Sequence, residues 1–142
     1  MIILGLDVGD RRIGVAIADT FTGLITPLPT HKASREFFNE LAKLYHQHHF
    51  ETVVLGMPLT LSGGRGEQAG KVAEVAEKIK RQLSIQIEFE DERFTSRVAA
   101  QQLREIPKDD QAVDIDALSA VLILESWLNR QNPKNPPPER KS

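Results

Sequence analysis

Carboxylates are the best catalytic equipment the composition leaves to this chain, which contains no cysteine. That excludes disulfides, thiolate nucleophiles and cysteine-based zinc sites. No Ser-His-Asp spacing or zinc motif is visible. Acidic residues instead recur at three separated points: Asp7 within an apolar run, Asp91 and Glu92 after a second, and Asp114 and Asp116 at the head of a third. Carboxylates brought to one place repel one another, and a hard cation such as Mg2+ or Mn2+ is what neutralises them. Two such ions about 3.5–4 Å apart can activate a water and stabilise the leaving oxygen of a phosphodiester. Each acid taken alone also has a structural explanation. Asp7 could make a turn hydrogen bond, and Asp91-Glu92-Arg93 could be a charged turn with a local ion pair. Asp114 and Asp116 could stabilise a helix N-terminus by about 0.3–1 kcal/mol. Those last two lie about 200° apart around a helix, so they cannot both face one cleft.

Cations accompany the acids. Arg11, Arg12, Arg65, Arg93 and Arg97 fall in or near the loops expected at the same edge, and form a candidate set of phosphate contacts. His46, His48 and His49 sit at a predicted helix end, which favours imidazolium and leaves them outside the cleft. Gly63-Gly64-Arg65-Gly66 lacks the Lys-Ser/Thr of a phosphate-binding loop and reads as a flexible connection.

The elements that must position these residues begin with a β-hairpin over residues 1–18, turning at Gly9-Asp10-Arg11-Arg12. Ile2, Leu4 and Leu6 share one face of its first strand, and Ile3, Gly5 and Asp7 share the other. On the second strand Gly14, Ala16 and Ala18 make a face small enough for a helix or ligand to approach the backbone. Leu24–Leu28, with Pro27 and Pro29, reads as an edge strand. Ser34 is placed to cap a helix running to about His49, with Phe37, Phe38, Leu41, Leu44, Tyr45 and His48 as its stripe. Thr52–Leu55 reads as a buried parallel strand. Glu67–Leu83 follows as an amphipathic helix. Ile85, Ile87 and Phe89 then form a strand, alternating with Gln86, Glu88 and Glu90. Thr95 or Ser96 can cap a helix to about Arg104, and a polar loop occupies 106–113. The last helix, from about Asp114 to Asn129, is apolar nearly all round and therefore deeply buried. This order predicts an α/β domain with a mixed sheet, whose ligands gather at the carboxyl ends of the parallel strands.

With 142 residues, 40% hydrophobic and 27% charged, the chain fits one domain with a substantial core, expected over residues 1–130. The proline-rich end, 131–142, reads as a disordered tail. No run is long enough to span a bilayer, so a cytoplasmic protein without membrane attachment is expected. The net charge of −2 argues against a general basic coat. A polyanion would need a local basic patch or bound metal.

Four blocks in order, GLDVGDRRIGVAIAD, VVLGMPLTLSGG, FEDERFTS and VDIDALSAVLILESWL, resemble the YqgF family, also called RuvX. Its members are described as pre-16S rRNA nucleases or Holliday-junction-resolvase-like proteins. The resemblance covers most of residues 1–130. It implies a ribonuclease H-like fold: a five-stranded mixed sheet, three antiparallel strands then two parallel, flanked by helices. By position Asp7 corresponds to the first-strand metal ligand, Glu92 to the second acid and Asp116 to the helical third, with Asp114 its neighbour. The resemblance thus implies Mg2+ or Mn2+ held by Asp7, Glu92 and Asp116, which are also the catalytic acids. Gly9, Arg12 and Gly14 match the hairpin motif, and Gly56 and Pro58 the middle loop. Asp10-Arg11 stands where small or basic residues are more usual.

The implied activity is a metal-dependent phosphodiester hydrolase acting on structured RNA, processing the 5′ end of pre-16S rRNA in ribosome biogenesis, as a monomer or homodimer. The same acids could instead resolve branched DNA at Holliday junctions. A non-catalytic RNA-binding assembly factor would keep the fold without the activity. Asp7-x-Gly9 followed by Gly14 also resembles the phosphate loop of actin-fold ATPases and sugar kinases. Those proteins need two such domains, and this chain supplies one.

Overall fold

A computed structural model describes residues 1–58, 66–91 and 115–131. Expectations about 59–65, 92–114 and 132–142 lie outside the described residues. They concern Arg65, Glu92, Arg93, Arg97, Asp114, the helix beginning near Thr95, and the tail.

The opening residues form the predicted hairpin, β1 (Ile2–Val8) and β2 (Arg12–Asp19), paired antiparallel with Asp7 opposite Gly14. Gly9 closes the turn by donating its N–H to the Arg12 carbonyl at 2.9 Å. The third strand, β3 (Ile25–Lys32), is longer than its apolar run suggests and pairs antiparallel with β2. It lies at the sheet edge, where Pro27 and Pro29 can go without donating to a ladder. After α1 (Glu36–His48) the chain returns as β4 (Thr52–Met57), which pairs parallel with β1. A second crossover, α2 (Glu67–Leu83), leads to β5 (Gln86–Asp91), parallel to β4. The last described helix is α3 (Ile115–Gln131). Strand order in the five-stranded sheet is β3-β2-β1-β4-β5.

Both sheet faces are covered, and the two faces differ in residue size for that reason. Leu4, Leu6, Val8, Val15, Val53 and Leu55 point into a large core beneath α1 and α2. The other face carries Ile3, Ala16, Ala18 and Val54 under α3, which contributes Ala120, Ile123, Leu124 and Trp127. α3 lies close because that face lacks bulk. A Cβ on Gly5 would meet Leu124 Cγ at 2.5 Å. Each fully buried Leu or Ile contributes about 1.5–3 kcal/mol relative to exposure. The sheet is therefore held from both sides.

Two local expectations are corrected. Ser34 does not cap α1 with its side chain; Arg35 takes the cap position, without a side-chain hydrogen bond, and the Ser34 carbonyl accepts from Phe37 N–H at 3.1 Å. In β5 the alternation does not bury every apolar residue: Phe89 is 43% exposed, whereas Glu90 is 3% exposed. Phe89 shares the face of Leu6 and Leu55 but stands on the outer edge strand, where α2 covers it poorly. Glu90 turns toward α3, whose side chains compensate its charge. The last helix also runs further than expected, to Gln131.

Candidate active site

The carboxyl ends of β1, β4 and β5 form one edge of the sheet. Register decides which acids there can cooperate. Leu6, Leu55 and Phe89 stand in one row across β1, β4 and β5, on the α1/α2 face. Side chains alternate along a strand, so Asp7 and Glu90, each one residue further, project to the α3 face. Asp91 pairs with Met57 and projects to the α1/α2 face, away from Asp7. The sequence alone could not separate Asp91 from its neighbours in this way.

Asp7 is half-buried and, among the described residues, takes no hydrogen bond or ion pair. A carboxylate in that position is unfavourable unless something compensates it. Directly across the β1–β2 pair is Gly14, and on Gly14 rests the start of α3. A Cβ there would lie 1.9 Å from the Asp116 carbonyl oxygen and 2.3 Å from its carbon. The missing side chain at Gly14 thus brings Asp116 over the strand that pairs with Asp7. Arg12, preceding Gly14 on the same face, donates from Nε to Asp116 Oδ2 at 3.0 Å. The Asp116 side chain is 24% exposed and that of Arg12 is 65% exposed. The pair sits at the rim, where ion pairs contribute about 0–1 kcal/mol, so its stabilising value is small.

The rest of the rim is also built from this turn. The Arg11 carbonyl accepts from Ala33 N–H at 2.9 Å, tying the hairpin to the approach to α1. Arg11 itself is exposed, and among the described residues its side chain makes no ion pair. Asp10 accepts from Lys71 Nζ at 2.5 Å, and that hydrogen bond, with the attraction of the same carboxylate, raises the Lys71 ammonium above its ordinary pKa of 10.5. Gln68 Nε2 donates to the Val8 carbonyl at 2.6 Å and fastens the first turn of α2 to the end of β1. A groove of about 380 Å3 runs between the turn and these helices, lined in part by Gly9, Asp10, Arg35, Phe38 and Lys71.

Sequence reasoning missed Glu90. Ser126 and Arg130 of α3 both donate to it, Arg130 through Nη2 and also through Nε at 3.2 Å. The signal was available: with helices on both faces of a sheet, a polar residue alternating with apolar ones meets the second helix layer rather than water. His46, His48 and His49 are at the C-terminal end of α1. Glu51 N–H donates to the Ile2 carbonyl there, so this end of α1 lies by the start of β1, opposite to Asp7.

The acids expected to hold a divalent ion are therefore seen in part. Asp7 and Asp116 approach the same short segment of β2, while Glu92 lies outside the described residues. Among the described residues no group of three or more His, Asp or Glu side chains forms a metal-binding cluster. The observation that fits a cation is Asp7 itself, a half-buried oxygen donor without a partner among the described residues.

Known proteins agree with this architecture. A sequence profile of the RuvX family, described as Holliday junction resolvase, matches residues 1–130. A protein of Sulfurihydrogenibium sp., provisionally named pre-16S rRNA nuclease, is 42% identical over 130 residues, covering 90% of each chain. One of the same name from Chloroflexus aurantiacus is 39% identical over 138 residues, covering 93% of this chain and 90% of that one. Among solved structures, Thermus thermophilus RuvC in complex with Holliday junction substrate superposes with a TM-score of 0.61 at 14% identity, over 92% of this chain and 93% of that one. The fowlpox virus resolvase complexed with Holliday junction DNA gives 0.57 at 14% identity, over 92% and 99%. These structural likenesses establish the fold, which is ribonuclease H-like, and the sequence relatives establish the lineage: the chain belongs to the RuvX family.

Proposed function

We propose that this protein is a metal-dependent nuclease that hydrolyses phosphodiesters of structured RNA, with the precursor of 16S rRNA as its substrate. The reading rests on one observation: Asp7 is half-buried, lacks a partner among the described residues, and pairs across the hairpin with Gly14, beneath Asp116. Purely structural acids at strand ends find local partners, as Asp19 does by accepting from Phe21 N–H at 2.9 Å. The names of the sequence relatives support the RNA substrate.

Asp7 and Asp116, joined by Glu92, are the residues that would hold Mg2+ or Mn2+. An ion held by such acids supplies positive charge to the phosphodiester and lowers the pKa of an attacking water. The chain's own residues orient the substrate. Arg11, exposed at the hairpin turn, offers bidentate hydrogen bonds to a phosphate, and Arg65 and Arg93 belong to the same proposed set. The overall charge of −2 makes these local cations decisive for polyanion binding.

The test is Asp7→Asn. Cleavage of precursor 16S rRNA with added Mn2+ should fall by at least about 100-fold, while thermal stability stays level or rises, because a half-buried charge has been removed. Retained cleavage would refute the assignment. Parallel assays on Holliday junctions address the second reading, branched-DNA resolution, which the family description and the resolvase-like fold support. Loss of junction cleavage without any activity on RNA would decide for it.

A further inference from the structure

We propose that Arg12 is a positioning residue for Asp116 and not a contact to substrate phosphate. The inference rests on the reading of Asp116 as a metal ligand. Arg12 and Gly14 are alternate residues of β2, and both meet Asp116 at the start of α3. Gly14 takes the backbone of Asp116 against the strand, where any Cβ would overlap its carbonyl. Arg12 takes the side chain, donating from Nε to Oδ2 at 3.0 Å. One strand therefore fixes both main chain and carboxylate of the same acid. A carboxylate in the first turn of a helix has two side-chain torsions to settle. A charge-assisted bond to one oxygen selects among them and occupies one of about four acceptor positions.

The neighbouring arginine strengthens the distinction. Arg11, in the turn that precedes β2, is exposed and makes no ion pair among the described residues. Arg12 has one guanidinium edge engaged through Nε, and that edge cannot also take a phosphate bidentately. The two adjacent arginines thus divide the work: Arg11 meets substrate, and Arg12 holds the acid that meets the metal. Groups that orient a metal ligand in this way typically contribute 10–100-fold to metal affinity. A free cation that merely lay near the site would act oppositely, by repelling the metal.

The experiment is a calorimetric Mn2+ titration of the full chain without nucleic acid, with precursor-RNA binding measured separately on the same proteins. Arg12→Ala should weaken Mn2+ binding roughly 10–100-fold, and Arg12→Lys, which keeps a cationic donor, should recover most of that loss. Arg11→Ala should leave the Mn2+ isotherm unchanged and weaken RNA binding. Because the Arg12 side chain is largely exposed, its variants should melt as the wild type does, which circular dichroism checks. Wild-type Mn2+ affinity in Arg12→Ala with weakened RNA binding would overturn the proposal in favour of a phosphate contact. Tighter Mn2+ binding would overturn it in favour of simple repulsion. An unaltered isotherm in Asp7→Asn would overturn the metal-site reading beneath it, and is recognisable because it does not involve Arg12.

Discussion

Gly14→Ala is the substitution by which the geometry of the site can be judged most severely. The added Cβ would lie 1.9 Å from the Asp116 carbonyl oxygen, 2.3 Å from its carbon and 3.1 Å from Ala117 N. All three are backbone atoms, so no rotamer change can relieve the overlap. Reaching even a tight contact requires the start of α3 to retreat by more than about 1 Å. Overpacking of this kind costs about 1–3 kcal/mol, and backbone against backbone belongs at the upper end. A displacement of about 1 Å at a catalytic group costs on the order of 100-fold in rate. Gly5→Ala is the control, because it loads the same helix through the side chain of Leu124, whose Cγ would be 2.5 Å away and which can shift. Urea unfolding should show both variants destabilised by about 1–3 kcal/mol. Cleavage and Mn2+ binding, assayed well below either midpoint, should collapse only in Gly14→Ala. If Gly14→Ala cleaves within about twofold of wild type, α3 does not set Asp116 through this contact, and the reasoning fails.

Two other perturbations follow from pairs outside the proposed chemistry. Arg130→Ala removes the cationic partner of Glu90, which is 3% exposed, and leaves Ser126 as its donor. The cost in urea unfolding should be about 2–3 kcal/mol, below the full value for a buried pair because Arg130 is 56% exposed; a loss under about 0.5 kcal/mol would show that Ser126 suffices. Asp10→Asn should return the Lys71 ammonium toward 10.5, as followed by NMR of its side chain. The folded-state pKa of Lys71 is raised, so its favourable contribution is fully present below 10.5 and is lost as pH rises through the folded value. On the alkaline side wild type should therefore lose stability relative to Asp10→Asn as pH rises through that value, and parallel curves there would refute the pairing.

The sheet was legible because its signals are local. β1 and β2 alternate cleanly around a glycine turn, β4 is continuously apolar, and α2 carries its stripe at helical spacing, so the ends of α2 agree with expectation. The small face of Gly14, Ala16 and Ala18 announced the close approach of a helix or ligand, and α3 is what lies there. What eluded the sequence depends on long-range partners. Ser34 is an ordinary capping residue, yet the hairpin holds Ala33 through Arg11 and the helix begins one step later. Glu90 gave no sign of its role because its cation, Arg130, comes from the far end of another helix.

The register also sharpens the choice among the acids. Asp91 and Glu92 are neighbours, and composition treats them alike. β5 runs parallel to β4 through Met57 and Asp91, so Asp91 is bound to the row of Met57 on the α1/α2 face. Asp7 belongs to the α3 face, with Gly14 and the start of α3. A sheet is an impermeable wall to side chains, so two carboxylates on opposite faces can share a cation only by reaching around its edge. Asp91 is thereby the weaker candidate for the second acid, which leaves the proposed role with Glu92. Asp91→Asn should consequently leave Mn2+ affinity within about threefold of wild type, whereas Glu92→Gln should weaken it at least about tenfold, as calorimetry would read. The reverse order would mean that the strand register does not govern which acid meets the metal.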